Sequence, residues 1–395
     1  MKVLLTNNAL DAREGSETYL MQVAANLKRR GHVPYVYSTC LGKVAKQLRD
    51  DGVYVTNDLH TLSEHPDVIH GQHHIETMSA LSHFPEAPVI AFCHGVLPWQ
   101  EYVQSAPNVR RYVAVDVPCR NRLIDECGID EKKIELLLNF VDMDRFANRP
   151  SLPKKPKKAL VFSNSATEGQ VLNSIRSACS EMHIEVDVVG LQYGNPSDAP
   201  EKLLKNYDVV FAKALAAQEA IATGCAVILC NYGKIGPLVT TKNYSKLRPL
   251  NFGFRCLEDP VTKESVLNQL AQYDAADSTA VSQQYRRDGD AKVGIERLLC
   301  LYENVIRENK ADGGIPPFQT MASVSDYIVR LGQITKNFEA ELSRQQLHRI
   351  EAERALHEIT KRSELSLINI PAKIGKTRFQ LIKRLFQNNL SNNKE

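Results

Sequence analysis

Residues 207–230 read YDVVFAKALAAQEAIATGCAVILC, and the fold class follows from them. Val209, Val210 and Phe211 make the 207–213 run continuously apolar, as a parallel strand covered on both faces requires. Residues 214–223 are Ala-rich and helical, and Gly224 supplies the left-handed residue that ends such a helix. Residues 225–230 form a second buried strand. This strand–helix–strand unit predicts an α/β fold whose ligands gather at the carboxyl edge of the sheet. Lys213 lies at that edge, and Glu219 lies on the helix that follows. An ammonium at a helix N-terminus suits a phosphate, and a nearby carboxylate suits sugar hydroxyls. A structural lysine and a helix-surface glutamate are the plainer alternative.

The same rhythm extends in both directions. Before residue 150, strands are expected at 2–6, 32–38, 67–70, 89–94, 112–115 and 134–138, with helices at 17–30 and near 119–127. The Pro- and Lys-rich stretch SLPKKPKK at 151–158 is a linker. Alternation restarts at 159–163, 169–182 and 184–190, and helices at 261–273 and 284–308 close the second half. The expected architecture is two Rossmann-like domains facing across a cleft, at 1–150 and 151–310, and such clefts hold small ligands.

A third segment, 311–395, follows the break ADGGIPP. Ile328, Leu331, Thr335, Phe338, Leu342, Gln345, Arg349, Ala352, Leu356 and Ile359 recur at spacings of three and four. That pattern reads as a coiled coil joining copies of the chain, or as one amphipathic helix docked on the body. Residues 361–395 carry eight Lys/Arg against Glu364 and Glu395. The stretch is either a basic amphipathic helix resting on an anionic membrane surface or a solvated tail.

Composition sets outer limits. The 395 residues are 43% hydrophobic and 24% charged, with a net charge of +3, which does not argue for nucleic acid. The nine cysteines form no CxxC pair, so reduced thiols in a cytoplasmic compartment are expected. The opening MKVLLTNN is too short an apolar run for a signal peptide, and no stretch reaches the length of a membrane span.

Four further constellations stand at predicted strand ends. Glu14-Gly15-Ser16-Glu17 joins the first strand to the first helix, where Gly15 allows close approach and the helix N-terminus offers N–H groups to an anion. A simple N-cap by Ser16 is the alternative. His70-Gly71-Gln72-His73-His74 places three imidazoles near a strand end; no carboxylate-and-His spacing supports a metal, and histidines at a site edge are the commoner reading. His94-Gly95 follows another strand and can meet a hydroxyl or developing charge. Asn139-Phe140-Val141-Asp142 can tie the crossing between the domains.

Together these residues resemble the family 4 glycosyltransferases of the GT-B fold. Besides the constellations named, Arg30-Gly31-His32, Pro66-Asp67-Val68-Ile69-His70 and Phe146 carry the likeness. So does Gln218-Glu219-Ala220-Ile221-Ala222-Thr223-Gly224-Cys225-Ala226-Val227-Ile228, and the likeness spans about residues 1–308. The resemblance implies transfer of a sugar from a nucleotide-sugar donor, with retention and no obligatory metal or other cofactor. It implies that Glu219 holds the donor ribose, that Gly15 faces the donor phosphates or the acceptor, and that His94 lies near the transferred sugar. Lys213, Asn164 and Gly224 complete the expected donor site, and Ser16 joins His73 and His74 on the acceptor side. A glycan or lipid-linked acceptor in cell-envelope synthesis fits this picture.

Two departures qualify the resemblance. The family's paired carboxylates stand eight apart, and the position eight before Glu219 is Phe211. The family's Arg and Lys after the first strand of the second domain are also missing from Phe162-Ser163-Asn164-Ser165-Ala166-Thr167-Glu168, which leaves the diphosphate to Lys213. Two other functions share the fold: a nucleotide-sugar 2-epimerase, and a non-catalytic scaffold whose working part is the C-terminal helix.

Overall fold

The computed structural model describes residues 1–231 and 233–368. A first compact unit covers residues 1–325, and a second begins at Asp326.

The first unit contains two main sheets. Strands β1 (Lys2–Thr6), β2 (Ala9–Leu10), β3 (Val33–Tyr37), β4 (Cys40–Leu41), β5 (Tyr54–Thr56), β6 (Val68–Gln72), β7 (Val89–Cys93), β8 (Val109–Ala114) and β9 (Ile134–Leu136) come from the first 136 residues. Seven of them form a parallel sheet in the order β5-β3-β1-β6-β7-β8-β9, and β2 pairs with β4 separately. Strands β10 (Lys158–Phe162), β11 (Glu185–Val189), β12 (Val209–Ala212), β13 (Ala226–Asn231), β14 (Lys234–Leu238) and β15 (Asp259–Pro260) follow. They form the second sheet, in the order β11-β10-β12-β13-β14-β15. Its first four strands are parallel, and β14 and β15 run antiparallel at one edge.

Strand order reverses between β1 and β6 in the first sheet and between β10 and β12 in the second. Helices that leave such neighbouring strands depart to opposite faces, which opens a crevice at their carboxyl ends. The segments that begin at Asn7, His73, Ser163 and Lys213 therefore border the two crevices.

The apolar runs read in the sequence account for the core. Every residue of β7 and β12 is buried, as helices on both faces of the sheet require. The helix Ala214–Thr223 has the expected bounds, and Gly224 ends it at φ 97°.

Three expectations need correction. The 284–308 helix is two, Ala275–Asp288 and Ala291–Ala311, because Asp290 caps a new start by accepting from the Lys292 N–H. The second of these does not pack with the second sheet: Ile295, Leu298, Tyr302 and Val305 join Val3, Leu5 and Tyr19 in the core of the first. The chain crosses back to reach it, and Val141 bridges to Asp290 so that the outgoing and returning segments lie side by side. Finally, β6 runs on through Gly71 to Gln72, two residues past the strand end expected at His70.

The helix Pro317–Ile368 begins within the first unit. Thr320 Oγ1 donates to the Pro85 carbonyl at 2.8 Å, and Val324 is buried. The separate segment thus starts at Asp326 rather than at 311. Within it Ile328, Phe338, Leu342, Leu356 and Ile359 are exposed, Phe338 by 75%. Residues 369–395, most of the basic stretch, lie outside the described residues. No helix among the described residues is long and apolar enough to cross a membrane.

Candidate functional site

At the first crevice, the segment after β1 runs through Asn7 and Asn8 to the helix Gly15–Arg29. That helix starts two residues earlier than Ser16 capping would give: Glu14 is the N-cap, and no side chain caps it. Ser16 is therefore the second helical residue. Gly15 is exposed, and a Cβ added there would meet no protein atom within 4 Å. Open space lies over the first turn, where helix N–H groups favour an anion.

The three imidazoles near the end of β6 separate. His70 is fully buried, with Nδ1 2.5 Å from the Tyr302 hydroxyl and Nε2 3.1 Å from the Gln72 amide nitrogen. His73 adopts φ 64°, which is strained for a side chain that is not glycine. Its Nδ1 accepts from the Asn8 N–H at 3.1 Å, which leaves the proton on Nε2, 3.6 Å from Glu101 Oε1. His74 opens the helix His74–His83 and packs edge-on against Trp99 and Tyr102.

His94 follows β7 as expected. Its backbone N–H donates to Glu101 Oε2 at 2.9 Å, and its ring lies edge-on to Tyr19 with centroids 5.0 Å apart. Nε2 is buried and has no hydrogen-bond partner among the described residues. Burial, opposed by the Glu101 charge, pushes the imidazole down to about 4, so the ring is neutral at pH 7. For Glu101 burial alone would raise the carboxyl. The His73 and His94 rings and the His94 N–H outweigh it and hold the group below the usual carboxylate range. Arg122 completes the frame, donating to the carbonyls of Gly95 at 3.0 Å and Glu101 at 2.9 Å.

At the second crevice, β12 passes into the helix Ala214–Thr223 through Lys213 alone, with Ala214 at φ 51°. No loop stands there to carry a carboxylate, and Phe211 is a core residue, 1% exposed. Lys213 is the half-buried N-cap residue. Burial lowers its pKa against the opposing pull of Glu14, which reaches toward it from the other half. Glu219 lies further along the same helix and is 5% exposed. Burial pushes its carboxyl up to about 7, against Arg145 and Arg13, while Glu201 adds to the rise. Arg145 is itself paired with Glu201 at 2.8 Å.

Asn164 joins the two halves. Its Nδ2 donates to the Arg13 carbonyl at 3.1 Å, and Arg13 Nη1 donates to the Asp198 carbonyl at 3.0 Å. Gly224 does not belong with these residues. It caps the carboxyl end of a ten-residue helix whose N-terminus carries Lys213, about 15 Å away at 1.5 Å per residue. Its surroundings are Arg149 and Ser282, and its role is to terminate the helix.

The site thus has two clusters: Asn8, His73, His94 and Glu101 on one side, and Lys213, Glu219, Asn164 and Arg13 on the other. Glu101, Arg122 and Arg13 escaped the sequence reading, since each acts through partners distant in the chain. The nearest signal was a carboxylate seven residues after His94. At the crossing Arg29 donates to the Asp142 carboxylate at 3.2 Å, as expected, whereas Arg248 donates to the Asn139 backbone carbonyl at 2.8 Å, a contact that does not use the Asn139 side chain.

Comparison with known proteins agrees with this architecture. The Glycosyltransferase Family 4 model matches residues 13–145. No curated protein sequence matches the chain. Among solved structures, a glycosyltransferase from Rickettsia africae is similar with a TM-score of 0.54 and 16% identity, over 77% of this chain and 98% of that one. Anabaena HepE in complex with UDP-glucose is similar with a TM-score of 0.54 and 12% identity, over 77% of this chain and all of the other. The family 4 sequence match thus lies in the N-terminal half, and the likeness to the solved structures is one of fold.

Proposed function

We propose that the protein transfers a sugar from a nucleotide-sugar donor to a glycan or lipid-linked acceptor of the cell envelope. The observation that carries this reading is the second crevice. A half-buried ammonium stands at a helix N-terminus, and a buried carboxylate lies on the same helix. Lys213 and the 214–223 helix N-terminus receive the donor diphosphate, and Glu219 accepts from the ribose hydroxyls. Gly15 leaves room above the first turn of the opposing helix for phosphates or acceptor. A neutral His94, oriented through Glu101, meets a hydroxyl of the transferred sugar, and Ser16, His73 and His74 border the acceptor side. Such a site works by fixing the donor and stabilising charge on the departing diphosphate. The protein cations serve that purpose without a metal or other cofactor, and the resemblance to family 4 makes retention the proposed outcome. A fold neighbour solved with UDP-glucose makes a UDP-sugar the first donor to test.

We place the enzyme in the cytoplasm at the inner face of the membrane, with the basic segment 361–395 as its contact. The exposed 3-4 series from Ile328 to Ile359 joins two copies as a coiled coil. Phe211 in place of a paired carboxylate favours one competing reading, a scaffold that no longer catalyses.

The test is thermal stability with UDP, GDP, ADP, CMP and their sugars, for the wild type and for Lys213→Ala and Glu219→Ala. A binding ligand raises apparent stability by mass action. A shift selective for one nucleotide and lost in both variants, followed by sugar transfer from that donor, supports the enzyme. No shift with any nucleotide supports the scaffold.

A further inference from the structure

A cavity opens beside the first crevice, in the N-terminal half. It encloses roughly 150 Å³ and is bordered by Asn8, Thr39, His74, Glu76, Trp99 and Gln100, where one water needs only about 10–15 Å³. Glu76 is 2% exposed and stands in the first turn of the helix His74–His83. Its Oε1 accepts from the Thr39 hydroxyl at 2.6 Å. Its Oε2 is buried and has no hydrogen-bond partner among the described residues. A carboxylate in a first turn complements the helix dipole, but that role does not satisfy Oε2, and a buried acceptor left unpaired costs about 1–3 kcal/mol. Across the cavity Trp99 is 64% exposed, with its ring held edge-on by His74 at 5.1 Å between centroids.

We infer that this cavity binds a pyranose ring of the acceptor, and that Glu76 restricts it to uncharged or amino sugars. The inference rests on the transferase reading for the word acceptor, and on the cavity alone for the sugar. An aromatic face offers an apolar platform to the C–H face of a pyranose. A carboxylate oxygen with free lone pairs accepts from one of its hydroxyls, or from an ammonium. Thr39, Asn8 and Gln100 supply further polar groups at the rim. An anionic sugar would bring a second carboxylate against Glu76, and like charges at a desolvated site exclude each other. The cavity lies at the carboxyl edge of the first sheet, next to the His73 and Glu101 pair, so a sugar seated there borders the crevice where donor and acceptor meet.

Trp99 is the only tryptophan of the chain, which gives a readout independent of turnover. The full chain is titrated with methyl glucoside, methyl glucosaminide and methyl glucuronide while Trp99 emission is followed, and UDP binding is measured separately by thermal shift. The expected result is a saturable change with the first two and at least tenfold weaker binding of the glucuronide. Glu76→Gln is expected to narrow that difference to threefold or less. Should that variant not fold, Gln100→Lys at the rim is expected to narrow it likewise. No saturable change, equal binding of the glucuronide by the wild type, or unaltered selectivity in the folded variant overturns the proposal. Failure of the glycosides with UDP binding intact removes the sugar site and leaves the transferase reading. A glycoside response without nucleotide binding removes that reading and the acceptor role together.

Discussion

Glu101 accepts a hydrogen bond from the backbone N–H of His94 at 2.9 Å, so the turn that presents the imidazole is held by a buried carboxylate seven residues later. The other oxygen of Glu101 faces His73 at 3.6 Å, and one side chain therefore orients both histidines. Removing it leaves a buried imidazole and an N–H without their acceptor. Glu101→Ala is expected to lower stability by about 3 kcal/mol, measured by urea unfolding at pH 7. Because its folded-state pKa is depressed, the contribution is complete above the unfolded value near 4.5. It disappears as pH falls through the folded value, and Glu101→Gln should abolish that part of the acid limb.

Glu219 titrates in the opposite sense. Its carboxyl is raised from 4.5 to about 7, so between those values the folded state holds a proton that the unfolded chain has released. Stability from this group falls as pH rises through that window, by something of the order of 3 kcal/mol in all. Glu219→Gln is expected to be more stable than the wild type at pH 8 and to lose most of the difference at pH 4.5. Its affinity for the nucleotide should fall at least tenfold. Denaturant titrations at the two pH values, with nucleotide binding alongside, check both halves.

His94 is lowered to about 4 by burial, and between there and 6.5 the unfolded chain binds the extra proton. Stability from this group therefore rises with pH across that window and is constant above it. As a neutral group near pH 7, His94 should give no inflection in the rate between pH 6 and 8. His94→Ala is expected to lower kcat by about two orders of magnitude, with donor affinity changed less than threefold. Transfer assays over that pH range at saturating donor in Glu219→Gln, which lacks the carboxyl titrating near 7, check the first point, and a kcat and KM comparison checks the second.

Phe338 is 75% exposed and Leu342 49% exposed on the helix that starts at Pro317. Together they occupy adjacent positions of the 3-4 series. With both changed to Asp, the full chain is expected to shift from dimer to monomer by light scattering. The first unit's melting temperature should stay within about 2 °C, since surface changes away from packed contacts cost little. A wild-type monomer at tens of micromolar would refute the coiled coil.

The sequence spoke most clearly where local chemistry and burial agree. The 214–223 helix has an Ala-rich body, an apolar strand on each side and a glycine at its left-handed end, and every one of those signals is local. The 284–308 expectation missed a break that Asp288-Gly289-Asp290 spelled out, because the apolar spacing continues across it. The expected strand 67–70 stops two residues short of the end of β6, because Gly71 and Gln72 read as loop; His70 and Gln72 are polar yet buried. Inside β6 they survive burial by bonding to each other and to Tyr302, a residue 232 positions away from His70. Glu76 and Arg13 follow the same rule: their partners Thr39 and Asn164 come from other elements, far along the chain. Gly224 was read correctly as a helix end and wrongly as a site residue, since only its distance from Lys213 separates the two roles.

The helix Ala291–Ala311 packs into the core that the first 140 residues begin. Gly294 leaves the space that Phe140 fills there: an added Cβ would stand 2.2 Å from Phe140 Cδ1. A fragment ending in the 151–158 linker would thus expose Val3, Leu5 and Phe140 where Ile295 and Tyr302 should cover them. Neither half is a portable cassette. An exchange of donor halves between relatives has to splice at two junctions, near Val141 and near Asp290, and carry the returning helix with the half it completes.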